Sequence, residues 1–142
     1  MTRTKKNVLV LCTGNSARSQ MLEAILRAKL GDRVESASAG TEPAPRVNPF
    51  AIRALSEIGI EHEAAPPKTP DAFGDRTFDV VVTVCDHAKE TCPILPGAPK
   101  TLHIGYPDPA AVEGTDDVIL QAFREVRDHM VAWCELFQVV VG

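Results

Sequence analysis

Between an apolar, β-prone run at Asn7–Leu11 and a helical pattern that begins at Ser19, this chain carries Cys12-Thr13-Gly14-Asn15-Ser16-Ala17-Arg18-Ser19, and few folds place such a stretch at such a junction. Beyond it, Met21, Leu22, Ile25, Leu26 and Leu30 recur at helical spacing, and Gly31 follows as a stop. Small, turn-prone loop residues let successive backbone N–H groups converge on one point, and the start of a helix adds partial positive charge there. That arrangement suits a tetrahedral anion, for which Arg18 supplies a planar fork of donors. The same field favours a thiolate at Cys12, ready to act as a nucleophile, and Ser19, read as the helix cap, can donate to that sulfur. A nucleotide site is disfavoured, because no lysine follows the glycine in Walker fashion and a dinucleotide fingerprint needs three spaced glycines where this loop has one. The bland reading, a tight turn with an inert cysteine, is outweighed by Arg18-Ser19 at a fixed interval after Cys12 at a strand–helix junction.

The rest of the chain repeats the alternation. Phe78–Val84 reads as a second buried strand, and Val34–Ala39 and Lys100–Ile104 as two weaker ones. Asn48 followed by Pro49, Ile52, Leu55, Ile58 and Gly59 is a capped helix. Ile119, Phe123, Val126, Met130, Trp133 and Phe137 form one face of a last helix. At 142 residues the expectation is a single α/β domain over residues 1–142, an open four-stranded parallel sheet flanked by helices on both faces. Such sheets bind ligands at the carboxyl ends of their strands. The prolines fall in loops, since strand or helix signals resume directly after each cluster.

Composition narrows the function. No stretch approaches the roughly 18 apolar residues of a membrane helix. The basic start, Met1 to Lys6, leads into a short apolar run that reads as a strand and not as an export signal, so a cytoplasmic, reducing setting is expected. In that setting Cys12, Cys85, Cys92 and Cys134 point to catalysis or metal binding and not to structural cross-links. A net charge of −4 without a basic cluster beyond the N-terminus argues against a nucleic-acid partner. Cys85 closes the Phe78–Val84 strand, and if the first and third strands are neighbours it faces the same crevice as Cys12. Asp108, in Gly105-Tyr106-Pro107-Asp108-Pro109, puts a carboxylate on a rigid loop after the last strand, a candidate general acid, although a bare Asp-Pro pair more often marks only a turn. A zinc site at Cys85, His87, Cys92 and His103 fits none of the usual ligand spacings. Cys134, beside the Met130–Phe137 stripe, reads as a buried structural thiol, and His62, His87, His103 and His129 as surface or core residues.

The stretch from Val8 to Met21 resembles the signature loop shared by low-molecular-weight tyrosine phosphatases and thioredoxin-coupled arsenate reductases. Thr13 and Gln20-Met21 lean toward the reductases; phosphatases usually have Cys where Ala17 stands and Pro where Gln20 stands. Val81-Val82-Thr83-Val84-Cys85, with Cys92-Pro93-Ile94-Leu95-Pro96, is similar to the redox segment of the reductases, and the likeness runs from Val8 to Phe137. It implies the low-molecular-weight tyrosine phosphatase fold, a substrate loop of Thr13, Gly14, Asn15, Ser16, Ala17, Arg18 and Ser19, and a relay of three cysteines. In that relay Cys12 attacks arsenate while Asp108 protonates the departing oxygen, Cys85 attacks Cys12 as arsenite leaves, and Cys92 then attacks Cys85. Reduced thioredoxin is the implied electron donor, with no tightly bound cofactor, phosphate or sulfate as competing oxyanions, and a monomer. In part of the reductase family a potassium ion is held by side chains matching Asn15, Glu23, Ser38 and Asp71. Ile104 and Tyr106-Pro107 depart from the family's Trp and Phe-Asp, which bears on the mobility of the acid loop. The alternative is a tyrosine phosphatase, whose chemistry gives no work to Cys85 and Cys92. Were residues 86–91 helical, the Cα atoms of Cys85 and Cys92 would stand roughly 10 Å apart, beyond the approximately 7 Å that a disulfide spans. That segment is expected to unwind on oxidation.

Overall fold

The computed structural model describes residues 5–62, 66–85 and 100–141. Its four strands, β1 (Lys6–Cys12), β2 (Val34–Gly40), β3 (Val80–Thr83) and β4 (Lys100–His103), form one parallel sheet in the order β2-β1-β3-β4. β1 is central because it is apolar on both faces. Val8, Val10 and Cys12 point into one core, Leu9 and Leu11 into the other, and all five are buried. The neighbours β1 and β3 pair with Leu11 opposite Thr83, so Cys12, the last residue of β1, and Cys85, two residues beyond β3, lie at the carboxyl ends of adjacent strands.

Helices α1 (Arg18–Leu30), α2 (Pro49–Ser56) and α3 (Asp116–Val141) share the core that contains Val8 and Val10. Met21, Leu22 and Ile25 of α1 pack there with Leu55 of α2 and with Phe123 and Met130 of α3. Helices on both faces were expected; among the described residues all three α-helices lie on this one side. The opposite face, with Leu9, Leu11, Ala37, Ala39 and Val81, is covered by Phe78 and by Phe73 from a 3-10 turn at Pro70–Phe73. The crossover from β2 to β3 thus serves both faces, α2 going to one and the 3-10 turn to the other.

α2 starts as its sequence predicts, with Asn48 Oδ1 accepting from Phe50 N at 2.9 Å and Pro49 in the first turn. Its far end is held to α3 by Glu57, whose carboxylate accepts from Arg124 at 2.6 and 2.8 Å and from Arg127 at 3.0 Å. Those guanidinium groups hold the Glu57 carboxyl down at about 2. α1 departs from expectation at both ends. Its cap is Ala17, which makes no side-chain cap bond, and Ser19 lies inside the first turn. Gly31 ends the helix in a right-handed conformation, φ −61°, not in the left-handed one usual for a glycine stop. The first two turns of α1 bury four polar side chains, Arg18, Ser19, Gln20 and Glu23, which must find partners inside the protein. Those partners build the site.

Candidate active site

The loop from Thr13 to Ala17 wraps over the carboxyl end of β1, and one hydrogen-bonded chain fixes it from beneath. Asn15 has a left-handed backbone, φ 50°, a conformation asparagine tolerates better than most residues. This bends its N–H back toward Cys12 Sγ, 3.2 Å away. The buried Asn15 amide Nδ2 donates to Ser19 Oγ and to Ser38 Oγ, each at 2.9 Å, and Ser38 Oγ passes its own proton to Glu23 Oε1 at 2.8 Å. Ser19 Oγ, which accepts from Asn15 Nδ2, lies 2.8 Å from Cys12 Sγ, where its hydroxyl can donate to a thiolate. Ser19 therefore serves the sulfur, as the sequence suggested, without capping the helix. A sulfur that receives a hydroxyl and a backbone N–H at the head of a helix is arranged to carry negative charge.

Arg18 is only 4% exposed, and its Nη1 donates to the carbonyl of Tyr106 at 3.1 Å. Its Nη2 lies 3.9 Å from Asp108 Oδ2, so Arg18 also ties down the loop that carries Asp108. Asp108 is half-exposed, and its Oδ1 accepts from Ala110 N at 3.0 Å, capping a short 3-10 turn and fixing the carboxylate at the crevice edge. The loop's other anchor is Tyr106, buried against the region of Cys134. Burial pushes both groups up to about 12. A thiol so placed is a poor nucleophile. In the native, reduced protein iodoacetamide is expected to label Cys12 and leave Cys134 unlabelled until the chain unfolds; peptide mass mapping reads this directly.

Cys85 is buried and disulfide-bonded, whereas Cys12 and Cys134 are free thiols. Cys92 and the expected unwinding of residues 86–91 lie outside the described residues, as does His87. His103 faces Thr83, with Nδ1 at 2.7 Å from Oγ1. Of the four residues matched to a potassium site, Asn15, Ser38 and Glu23 converge, and Asp71 does not: it is exposed on the 3-10 turn, outside their network. The converging atoms are spent on one another. Glu23 Oε2 is held by Arg27 at 2.6 Å, and Asn15 Oδ1 accepts from Lys68 N at 3.1 Å. A cation needs several oxygens turned toward one empty point, and this set, with Arg27 already supplying the positive charge, does not fit potassium. The thermal midpoint is expected to be equal in potassium and sodium chloride at the same ionic strength; a rise specific to potassium would overturn this assignment.

Three contributors escaped the sequence. Gly40, at the end of β2, lies so close to the loop that a Cβ there would meet Thr13 O at 2.4 Å and Asn15 N at 2.9 Å. Gln20, fully buried, donates from Nε2 to the carbonyl of Asn15 at 3.1 Å. His62 contacts Gln20 in turn.

The family model of low molecular weight phosphotyrosine protein phosphatases matches residues 7–138. An arsenate reductase of Halalkalibacterium halodurans is 44% identical over 126 residues, 89% of this chain and 90% of that protein. A solved arsenate reductase in its phosphate binding state superposes with a TM-score of 0.75 at 26% identity, covering 96% of this chain and 99% of that one. The thioredoxin-dependent arsenate reductase of Corynebacterium glutamicum gives 0.69 at 28% identity, covering 99% of this chain and 65% of that one.

Proposed function

This chain belongs to the low molecular weight phosphotyrosine protein phosphatase family, and from that premise we propose that it reduces arsenate to arsenite through Cys12, Cys85 and Cys92, with thioredoxin as reductant. The observation that carries the reading is the placing of Cys12 and Cys85 at the carboxyl ends of paired strands, with Cys12 in the anion loop. A hydrolase has no use for the second sulfur.

Arsenate enters the loop as a tetrahedral anion, held by backbone N–H groups and by Arg18. The Cys12 thiolate attacks arsenic; an As–S bond forms, an As–O bond breaks, and Asp108 protonates the oxygen that leaves as water. Cys85 then attacks Cys12 Sγ. The As–S pair goes to arsenic, which departs as arsenite, and the two sulfurs remain as a disulfide. Cys92 attacks Cys85, freeing Cys12, and a thioredoxin dithiol reduces the last disulfide. The free thiol of Cys12 beside a disulfide-bonded Cys85 is in keeping with this order. Cys85 stands one residue out of phase with Cys12 along the paired strands, so its attack calls for rotation of the chain beyond Val84.

Selection of arsenate over phosphate is chemical, since the loop receives either tetrahedral anion and only arsenic accepts two electrons. Phosphate is accordingly a competitor, and slow hydrolysis of aryl phosphates is expected. The relay is tested by Cys92→Ser, which should release at most one arsenite per enzyme molecule. Repeated turnover by that variant with thioredoxin would exclude the proposed order.

A further inference from the structure

We propose that His62 is a positioning residue for the nucleophile loop, acting through Gln20. His62 follows α2 in sequence, is 9% exposed, and sets Nε2 2.7 Å from Gln20 Oε1. Because Gln20 Nε2 faces the carbonyl of Asn15 at 3.1 Å and its Oδ1 at 3.4 Å, Gln20 can offer His62 only its oxygen. The proton of the ring must therefore be on Nε2. Donation from His62 holds the carboxamide, the carboxamide holds the left-handed Asn15, and Asn15 holds both its own N–H and the Ser19 hydroxyl on the sulfur. His62 is thus three hydrogen bonds behind Cys12 without touching the substrate.

The other ring nitrogen makes the arrangement specific for a neutral histidine. Nδ1 is buried and has no hydrogen-bond partner among the described residues. A bare lone pair there is tolerable, but a proton would create an unpaired N–H and a charge. Among the described residues, the charged groups facing the ring are Glu23 and Arg27 from α1 and Lys68 from the segment before the 3-10 turn. Burial lowers the His62 value below the ordinary 6.5, the two cations adding to it and Glu23 opposing. With the folded value depressed, the unfolded chain binds the extra proton first. The contribution of His62 is complete above pH 6.5 and is lost as pH falls below that value.

The inference rests on Cys12 being the nucleophile, but it is read through inorganic phosphate, whose binding reports the loop whether or not arsenate is reduced. His62→Leu is expected to weaken phosphate binding and to slow Cys12 alkylation at pH 7, each about tenfold, the worth of one buried hydrogen bond. Its alkylation profile should move to higher pH. His62→Gln places a donor where Nε2 was and should restore both within about twofold, which mere volume filling would not do. Adding His62→Leu to Gln20→Leu should cost nothing further, because His62 acts only through Gln20. Normal phosphate affinity in His62→Leu, failure of His62→Gln to rescue, or additive losses in the double variant would each overturn the assignment. Nitrogen NMR of the unaltered protein decides the point should His62→Leu not fold. A ring protonated on Nε2 alone at pH 7 supports the inference, and one protonated on Nδ1 contradicts it.

Discussion

Cys12→Ser is expected to lower arsenate-dependent turnover by on the order of 10⁴-fold or more, a loss typical of removing a covalent nucleophile. An alkoxide is far harder to form than a thiolate at neutral pH, so arsenic is not attacked. Even an ester, once formed, could not continue, because Cys85 cannot make a disulfide with oxygen. The relay is stopped, not slowed. Phosphate binding should survive within a few-fold, since the Ser19 hydroxyl and Asn15 N–H that face Cys12 Sγ at 2.8 and 3.2 Å can equally face a serine oxygen. Arsenite production and calorimetric phosphate binding, measured on the same preparation, separate the two effects. Arg18→Ala should differ in kind by losing both, because Arg18 gives up the anion fork and its tie to Tyr106 O together.

Gly40→Ala is expected to be nearly as damaging, although residue 40 performs no chemistry. The added Cβ would fall 2.4 Å from Thr13 O and 2.9 Å from Asn15 N, and both are backbone atoms that cannot swing aside. Either β2 withdraws from the loop or the loop lifts off β2, and the second course moves the Asn15 N–H away from the sulfur. Overpacking of this kind costs about 1–3 kcal/mol of stability. A displacement near 1 Å at a reacting centre lowers turnover by on the order of 10²-fold. Gly14→Ala is the control: a Cβ there meets only other Cβ atoms at 3.9 Å, so its stability should change little. Equal thermal midpoints for Gly40→Ala and the unaltered protein would show that the close approach is not limiting.

These two predictions come from different reaches of the sequence. Cys12, Arg18 and Ser19 were legible because the loop is contiguous, and a strand, a turn and a helix between Lys6 and Leu30 leave little freedom in where it lies. Cys85 was legible because a buried strand ends just before it, and the pairing of β1 with β3 brings that end to Cys12. Ser19 was misassigned as the cap for a physical reason: its hydroxyl is spent on the sulfur, leaving Ala17 at the helix start. Gly40 and His62 left no signal, since what matters in each is a contact with a residue far away in sequence or a clearance between two backbones, and Gln20 stood out only as part of the family likeness, not as a support of the loop. Asp71 shows the converse. Its residue type matches a family position, but the 3-10 turn carries it to the surface, and a matching letter does not fix where a carboxylate points.

The central claim, that Cys12 and Cys85 exchange electrons with arsenic, is tested most directly by following NADPH consumption with thioredoxin, thioredoxin reductase and arsenate. The Cys85→Ser variant and aryl-phosphate hydrolysis are run alongside. Arsenate-dependent consumption that disappears in Cys85→Ser is the predicted result. No consumption, together with brisk phosphate release that Cys85→Ser leaves intact, would contradict the reductase and make the protein a phosphatase.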